Sequence, residues 1–292
     1  MAVASKPNVV KRDAVKPSPL KPRRVKPSEV ERDAAKAIPK LFKQYGERTY
    51  ALAYRITGSA QEAEDVVQET FLKAFRRWST FDGRADPGTW LYTITARSAK
   101  RRFRRRKDGS TRRSKMRAFS DLMPWNEDSV VDLAIDRRQP ADRLMREEAR
   151  DLVHDAILAL PPAYRVPVLM KDMLEMPVAD ISVALGMQEE TVKTRIHRAR
   201  LAIRKTLNGE LPTRRATMPE YEKQVCLDLL KAKLAAMDEG HGFPIGREVF
   251  CERCRSVFAE FDLGQGACGD LADEKMPKSA RGRLEKAIRA LS

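Results

Sequence analysis

The chain of 292 residues has few cysteines and no long apolar run. All four cysteines lie after residue 225, and no apolar stretch approaches the roughly 20 residues that a membrane-spanning helix needs. The basic N-terminus also lacks the apolar segment of a signal peptide. These absences predict an intracellular protein with no membrane partner. In a reducing compartment, clustered cysteines favour metal binding or redox sensing over structural disulfides.

Signatures of catalysis are missing as well. The sequence contains no Gly-rich loop suited to a phosphate, no paired-His metal motif and no nucleophile signature. We therefore expect no catalytic residues, and an enzyme acting on nucleic acid is disfavoured. Positive charge, in contrast, is in excess, because 57 Lys and Arg face 41 Asp and Glu. This balance favours a nucleic-acid partner, since each neutralised phosphate releases a counterion; a merely solubilising surface is the alternative.

The apolar pattern is helical along most of the chain, and Val249 marks the one place where a strand is an alternative. In Ala63–Trp78, for example, apolar residues recur at spacings of three and four. We predict an all-α protein with two small helical domains, a flexible linker between them and a small, mainly helical extension. The predicted segments are a disordered basic tail (1–30), a first domain (31–107), the linker (108–140), a second domain (141–210) and the C-terminal extension (211–292).

A helix-turn-helix is predicted in the second domain. A short helical pattern, Val178–Leu185, meets a turn at Gly186, and a basic helical pattern, Glu189–Lys205, follows. The second helix of such a motif fits the major groove of DNA. A solvated basic helix is the alternative interpretation. The candidate DNA contacts on this helix are Thr191, Lys193, Thr194, Arg195, His197, Arg198 and Arg200.

A second basic segment lies in the first domain. Residues 97–117 contain twelve Lys and Arg and one acidic residue. Trp90, Tyr92 and Phe103 are close by, and cations beside aromatic rings suit single-stranded or distorted DNA, whose bases can stack. Alternatively, the rings belong to the core and the cations to a solvated face. Two basic helices on either side of a linker indicate two contacts on one DNA.

Both domains resemble a known family. The segments AEDVVQETFLKAFRRWSTF (Ala63–Phe81) and TWLYTITARSAKRRFRRR (Thr89–Arg106) resemble region 2 of the bacterial sigma-70 family. The segments LPPAYRVPVL and TVKTRIHRAR resemble region 4. The closest branch is the extracytoplasmic function (ECF) sigma factors, which keep only these two regions. The resemblance covers about residues 35–207, with both motifs in the family's order.

The resemblance implies a sigma factor that binds core RNA polymerase, directs promoter recognition and helps to open DNA. Region 2 would bind the β′ clamp helices through Asp65, Gln68 and Glu69, and the β subunit is a further implied partner. Region 4 would read the −35 element through the basic helix. The linker would enter the polymerase, where its acidic part would mimic nucleic acid. The implied −10 contacts are Arg97, Ser98, Lys100, Arg101, Arg104 and Arg105.

Two questions stay open at this level. Ser98 stands where family members often carry Asn, which leaves the preferred −10 sequence undetermined. An anti-sigma protein is an additional partner that the family suggests. The rival interpretation is a helix-turn-helix regulator that acts without replacing the housekeeping sigma factor, but it leaves Ala63–Arg106 unexplained.

The C-terminal extension carries a candidate metal site. Cys251 and Cys254 have the two-residue gap that allows two thiolates to bind one tetrahedral zinc ion. Cys226 and His241 are the candidate third and fourth ligands, with Cys268 as another thiol. The alternatives are a redox dithiol and chemically inert cysteines. We expect this extension to regulate the protein, either by folding back on the two domains or by binding another protein.

Overall fold

A computed structural model of the chain describes residues 27–83, 85–105, 116–133, 140–241, 243 and 250–290. Most of the predicted basic tail and part of the predicted linker lie outside these residues. Within them no helix is long and apolar enough to cross a membrane. Helices dominate, as predicted: α1 (Pro27–Thr57), α2 (Ala60–Arg76), α3 (Pro87–Arg105), α4 (Pro140–Ala159), α5 (Pro162–Val168), α6 (Val178–Leu185), α7 (Glu189–Glu210), α8 (Lys223–Glu239), α9 (Glu252–Asp270) and α10 (Lys278–Arg289).

Local sequence signals fix where the helices of the first domain begin. The Ser59 hydroxyl accepts a hydrogen bond from the amide of Glu62 (3.4 Å) at the start of α2, as a capping serine does. At the start of α3 the Asp86 carboxylate accepts from the amide of Gly88 (2.7 Å). A Cβ atom at Gly88 would lie 2.7 Å from the Tyr45 ring, so glycine allows α3 to approach α1.

Helices α1, α2 and α3 pack on one another around the predicted apolar stripe of α2. The stripe residues Val66, Val67 and Phe71 are completely buried, and Phe75 and Trp78 pack against the same core from its edge. The helical period therefore predicted this part of the core correctly. This core holds the basic helix α3 beside the polar side of α2.

The helix-turn-helix is present as predicted. Helix α6 ends at Gly186, whose φ of +64° is the left-handed conformation that glycine adopts readily, and α7 begins three residues later. The inward side of α7 is apolar, and Val192, Ile196 and Ala199 are fully buried. The opposite side of this helix is thereby directed away from the helix-turn-helix core.

The structure also contains two short strands that the sequence pattern did not indicate. Strand β1 (Ser129–Val131) pairs antiparallel with β2 (Thr213–Arg215), with Val130 opposite Arg214. Three residues are too few for the alternating pattern by which a strand is recognised in a sequence. The pairing joins the predicted linker to the segment that follows α7.

The regions are packed together rather than held apart. One continuous apolar core contains residues of α1 to α3, of the helix-turn-helix and of the C-terminal extension, including Cys268, Leu284 and Ile288. A smaller cluster lies between α8, α9 and residues 122–130. Helix α8 buries Leu230 and Leu234 in this cluster, whereas Val225 on the same helix is 43% exposed. Extensive contact among the regions thus replaces the expected flexible arrangement.

Candidate nucleic-acid and polymerase interface

The N-terminal half of α7 carries predicted DNA contacts that remain accessible. Thr194 is exposed, and Thr191, Lys193 and Arg195 are partly exposed. Glu190 lies in the first turn, where the helix dipole favours a carboxylate, and it accepts a hydrogen bond from Lys193 Nζ (3.1 Å). This contact offsets the repulsion that Glu190 alone would exert on a phosphate.

The middle of α7 is already occupied by other parts of the chain. His197 Nε2 lies 2.7 Å from Asp238 Oδ2, in the last turn of α8. Arg198 donates from Nη2 to the main-chain oxygen of Arg117 (2.9 Å), and its guanidinium lies 5.5 Å from the centre of the Tyr164 ring. Both side chains were predicted to contact DNA. In this conformation each of them forms a hydrogen bond within the protein.

Arg200 does not fit the predicted role, and its assignment is corrected. Its side chain is only 3% exposed, and it donates to both Asp172 oxygens (2.6 and 2.9 Å) and to Asp238 Oδ1 (2.7 Å). Burial alone would lower the pKa of Arg200, but the two carboxylates outweigh burial and raise it. Arg200 therefore holds the fold together instead of reaching DNA.

Arg204, one turn further along α7, forms a second buried ion pair that the sequence did not reveal. Its Nη1 donates to Glu260 of α9 and its Nη2 to Glu127, at 2.7 and 2.6 Å. Burial raises the pKa of Glu260, although Arg204 opposes that rise. Glu127 belongs to the acidic segment expected to mimic nucleic acid inside the polymerase. In this structure it binds α7 instead.

Arg97 connects the basic helix α3 to α6, the first helix of the helix-turn-helix. It donates from Nε to the main-chain oxygen of Ala184 (2.7 Å) and from Nη2 to that of Val183 (3.2 Å). These carbonyls lie at the C-terminal end of α6, where the helix dipole favours a cation. The predicted −10 contact is thus held against the helix-turn-helix.

The other predicted −10 residues differ in accessibility. Ser98 is completely buried and its hydroxyl accepts from Lys73 Nζ (2.9 Å), so its predicted contact with DNA is corrected. Arg101 is exposed, and Lys100 is partly exposed. The side chains of Arg104 and Arg105 lie outside those that the structure describes, although both residues belong to α3.

The aromatic residues before α3 form a cluster. The Phe81 ring lies 4.9 Å from the Trp90 ring and 5.6 Å from the Trp78 ring, measured between centroids. Trp78 and Trp90 pack against the core of the first domain. This supports the core interpretation of Trp90 and gives the loop before α3 a rigid base.

The predicted polymerase-binding residues lie together on α2. Gln68 is exposed, whereas Asp65 and Glu69 are partly covered and face the cations of α3. Asp65 accepts from Arg102 (2.9 Å), and Glu69 accepts from Lys73 (2.5 Å). Burial raises the pKa of Glu69, but the cations, Lys73 first, outweigh it and lower the pKa overall. The Glu69 carboxylate is therefore held in its charged form by these cations.

The structure brings together three of the four predicted zinc ligands. Cys254 interacts with the thiols of both Cys251 and Cys226, whereas the side chain of His241 is 76% exposed and lies beside Glu239. Although these three thiols are neighbours, neither they nor any other group of three or more His, Cys, Asp or Glu side chains among the described residues is arranged to hold a metal ion. His241 therefore does not complete the site, and zinc binding stays a prediction.

The thiols should react slowly in the folded protein. All four are free and buried, and burial raises the pKa of Cys254 and of Cys268. Each unit of upward shift removes about nine-tenths of the reactive thiolate at pH 8. We expect Ellman's reagent to titrate the native protein at least about tenfold more slowly than the protein in guanidinium.

A bound metal ion and burial would both slow the reaction of the thiols, and the zinc content of the same samples distinguishes these two causes. Equal zinc in the wild type and in the Cys251→Ser/Cys254→Ser variant would rule out a metal site at these residues. A pair of thiols that reacts at the denatured rate in the native protein would contradict their burial.

Comparison with known proteins adds an independent finding. Residues 41–108 match the family described as Sigma-70 region 2, and residues 150–203 match Sigma-70, region 4. The chain is 30% identical over 179 residues to the ECF RNA polymerase sigma factor SigW of Bacillus subtilis, covering 61% of this chain and 93% of SigW. It is 32% identical over 168 residues to the ECF RNA polymerase sigma factor SigE of Mycolicibacterium smegmatis, covering 56% and 59%.

Among solved structures, the chain is similar to CnrH in its complex with the cytosolic domain of CnrY. The identity is 21%, the alignment covers 62% of this chain and 97% of that chain, and the TM-score is 0.42. The second family match ends at residue 203, before α8, α9 and α10 begin.

Proposed function

The chain belongs to the ECF sigma factors of the sigma-70 family, and on that premise we propose how its surfaces divide the work of transcription initiation. As a sigma factor it binds core RNA polymerase and directs it to promoters. The observation that carries this conclusion is the succession of region 2 and region 4 in one chain. Bond formation belongs to the polymerase, so the protein needs no catalytic residue. Polymerase and promoter share the bacterial cytoplasm, where we propose that it acts.

For region 2 we propose two faces. The polar side of α2, with Asp65, Gln68 and Glu69, binds the β′ clamp helices. The accessible cations of α3, with Arg97 and Arg101 as the best placed, bind the −10 element once Arg97 leaves the carbonyls of α6. Negative charge on α2 and positive charge on α3 suit a basic protein and a polyanion, respectively.

For region 4 we propose that the −35 element contacts Thr191, Lys193, Thr194, Arg195, His197 and Arg198. These residues occupy the first three turns of α7, the part of a recognition helix that enters the major groove. An anti-sigma protein remains an additional proposed partner.

Run-off transcription with purified core polymerase on genomic fragments tests the function. A sigma factor produces transcripts with defined starts, and those starts identify its promoters. The rival helix-turn-helix regulator cannot support such synthesis. Absence of defined transcripts from all fragments, with polymerase shown active by a second sigma factor, would contradict the proposed function.

Replacing Arg198 with alanine should weaken binding to the −35 element by about 1–3 kcal/mol if the guanidinium contacts a base in bidentate fashion. The measurement is a titration of polymerase holoenzyme with matched and scrambled −35 duplexes. Arg150→Ala, on the exposed surface of α4, is the control and should change neither affinity. An equal loss on both duplexes would instead identify Arg198 as a phosphate contact.

Replacing Gln68 with arginine should lower the affinity for core polymerase about tenfold or more, because a cation would then face a basic partner. Competition between the variant and the wild type for core polymerase measures the effect. Gln44→Arg, an exposed position on α1, is the charge-matched control. Equal competition by Gln68→Arg and Gln44→Arg would place the polymerase contact elsewhere.

A further inference from the structure

Acidic side chains of the C-terminal extension contact α7, the proposed DNA-reading helix of region 4. Asp238 of α8 lies against His197 and Arg200, and Glu260 of α9 lies against Arg204. Asp238 is in the last turn of α8, where the helix dipole disfavours a carboxylate. The cations of α7 outweigh this penalty and lower the pKa of Asp238 despite its burial. Through His197, which is partly exposed, Asp238 takes a position that a phosphate would otherwise compete for.

The same extension contacts region 2 with charges of the opposite sign. Arg281 of α10 donates to Glu47 of α1 (2.6 Å), and Arg283 forms a two-pronged ion pair with Glu64 of α2 (2.6 and 2.9 Å). One further ion pair has the reverse polarity, because Arg55 of α1 pairs with Glu274, just before α10. Apolar residues of α10, among them Leu284 and Ile288, join the common core. The extension therefore contacts both region 2 and region 4.

Held in this way, the two regions are too close together to occupy a promoter. Elements centred near −10 and −35 are separated by about 25 base pairs, or roughly 85 Å at 3.4 Å per base pair. Here Arg97 Nε of α3 lies only 2.7 Å from the oxygen of Ala184 in the helix-turn-helix. Binding to both elements requires the two regions to separate.

We propose that α8, α9 and α10 form a built-in inhibitor that clamps region 2 against region 4 and covers the middle of the recognition helix. This inference rests on the proposed function for the roles of α3 and α7 on DNA. Charge complementarity carries it: the extension offers acids to the basic helix α7 and bases to the acidic surface of α1 and α2. Release of the clamp frees His197 and Arg97 together.

The distance between the regions in the full-length protein tests the clamp without polymerase or promoter. Spin labels at Lys43→Cys and Glu189→Cys, both exposed, report it by pulsed electron resonance. We expect one short distance in the otherwise wild-type chain and a longer, broader distribution after Arg281→Glu/Arg283→Glu. Adding Glu47→Arg/Glu64→Arg to that variant restores opposite charges and should restore the short distance. Arg150→Glu/Lys231→Glu makes the same charge change on other exposed sites and should leave the distance unchanged.

Run-off transcription with limiting amounts of the unlabelled proteins tests inhibition. Arg281→Glu/Arg283→Glu should exceed the wild type by about fivefold or more, the lower end of typical coupling between sites. The inhibitor proposal is wrong if Arg281→Glu/Arg283→Glu transcribes no more than the wild type, or if the distance between the labels is unchanged in that variant. A distance that opens while no variant makes defined transcripts would support the clamp and reject the proposed function. If the two regions are already separated in the wild type and it transcribes strongly, the proposed function is supported and the clamp is rejected.

Discussion

Replacing Arg200 with alanine is expected to lower the free energy of unfolding by about 3–5 kcal/mol, because it removes the arginine that two buried carboxylates share and leaves Asp238 with His197 alone. Asp172 and Asp238 are 3% and 4% exposed, and Arg200 donates to both of them. Urea unfolding followed by circular dichroism measures the change. Arg195→Ala, on the more accessible side of the same helix, should cost less than about 1 kcal/mol.

This result distinguishes a structural arginine from one that reads DNA. Arg198→Ala should weaken −35 binding and leave stability nearly unchanged, whereas Arg200→Ala should do the opposite at temperatures where it stays folded. A stable Arg200→Ala protein with a specific loss of −35 affinity would contradict the buried assignment and return Arg200 to the DNA surface.

Replacing Glu260 with alanine should cost a similar amount, about 3–5 kcal/mol, because Arg204 is fully buried and would keep only Glu127 as a partner. The Glu260 carboxylate also accepts a hydrogen bond from the amide of Val131 (2.7 Å), which would lose its acceptor. The midpoint of urea unfolding reports the loss. Glu260→Gln keeps an oxygen for Val131 and should cost less than Glu260→Ala.

The matched control for Glu260 is Glu252→Ala on the same helix. Its carboxylate is 46% exposed and pairs with Arg214 at the surface, an arrangement worth at most about 1 kcal/mol. If Glu260→Ala were as stable as Glu252→Ala, the buried ion pair would not form in solution. That outcome would also remove one of the two anchors that join the extension to region 4.

The sequence predicted the helices and the turn of the DNA-reading motif because those features are local. Gly186 marks the turn, and the recurrence of Val192, Ile196 and Ala199 gives the buried side of α7. The stripe of α2 follows in the same way. The family resemblance then assigned both regions, and comparison with known proteins confirms that assignment.

The role of Arg200 was missed because its partners are remote in the sequence. Asp172 lies 28 residues before it and Asp238 lies 38 residues after it. A signal was nevertheless present: Arg200 is four residues after the buried Ile196, and Arg204 is four residues further on. Both therefore extend the buried side of α7. Ser98 similarly follows Ile94 by four residues on the inner side of α3.

The arrangement of the regions could not be derived from periodicity. An apolar stripe shows that a helix face is buried, but not which helix covers it. The ion pair of Arg283 with Glu64 joins positions 219 residues apart, and the hydrogen bond from Arg97 to the carbonyl of Ala184 joins positions 87 residues apart. Such contacts depend on tertiary packing, so only the structure reveals that the expected flexible arrangement is replaced by a closed one.

The position of the extension after region 4 along the chain has a consequence during synthesis. A ribosome adds roughly 5–20 residues per second, so the 80 or so residues beyond α7 take about 4–16 s to make. For that interval both promoter-reading regions exist on a nascent polypeptide before α10 can fold onto α1 and α2. Each newly translated molecule therefore has a brief window in which polymerase can capture it.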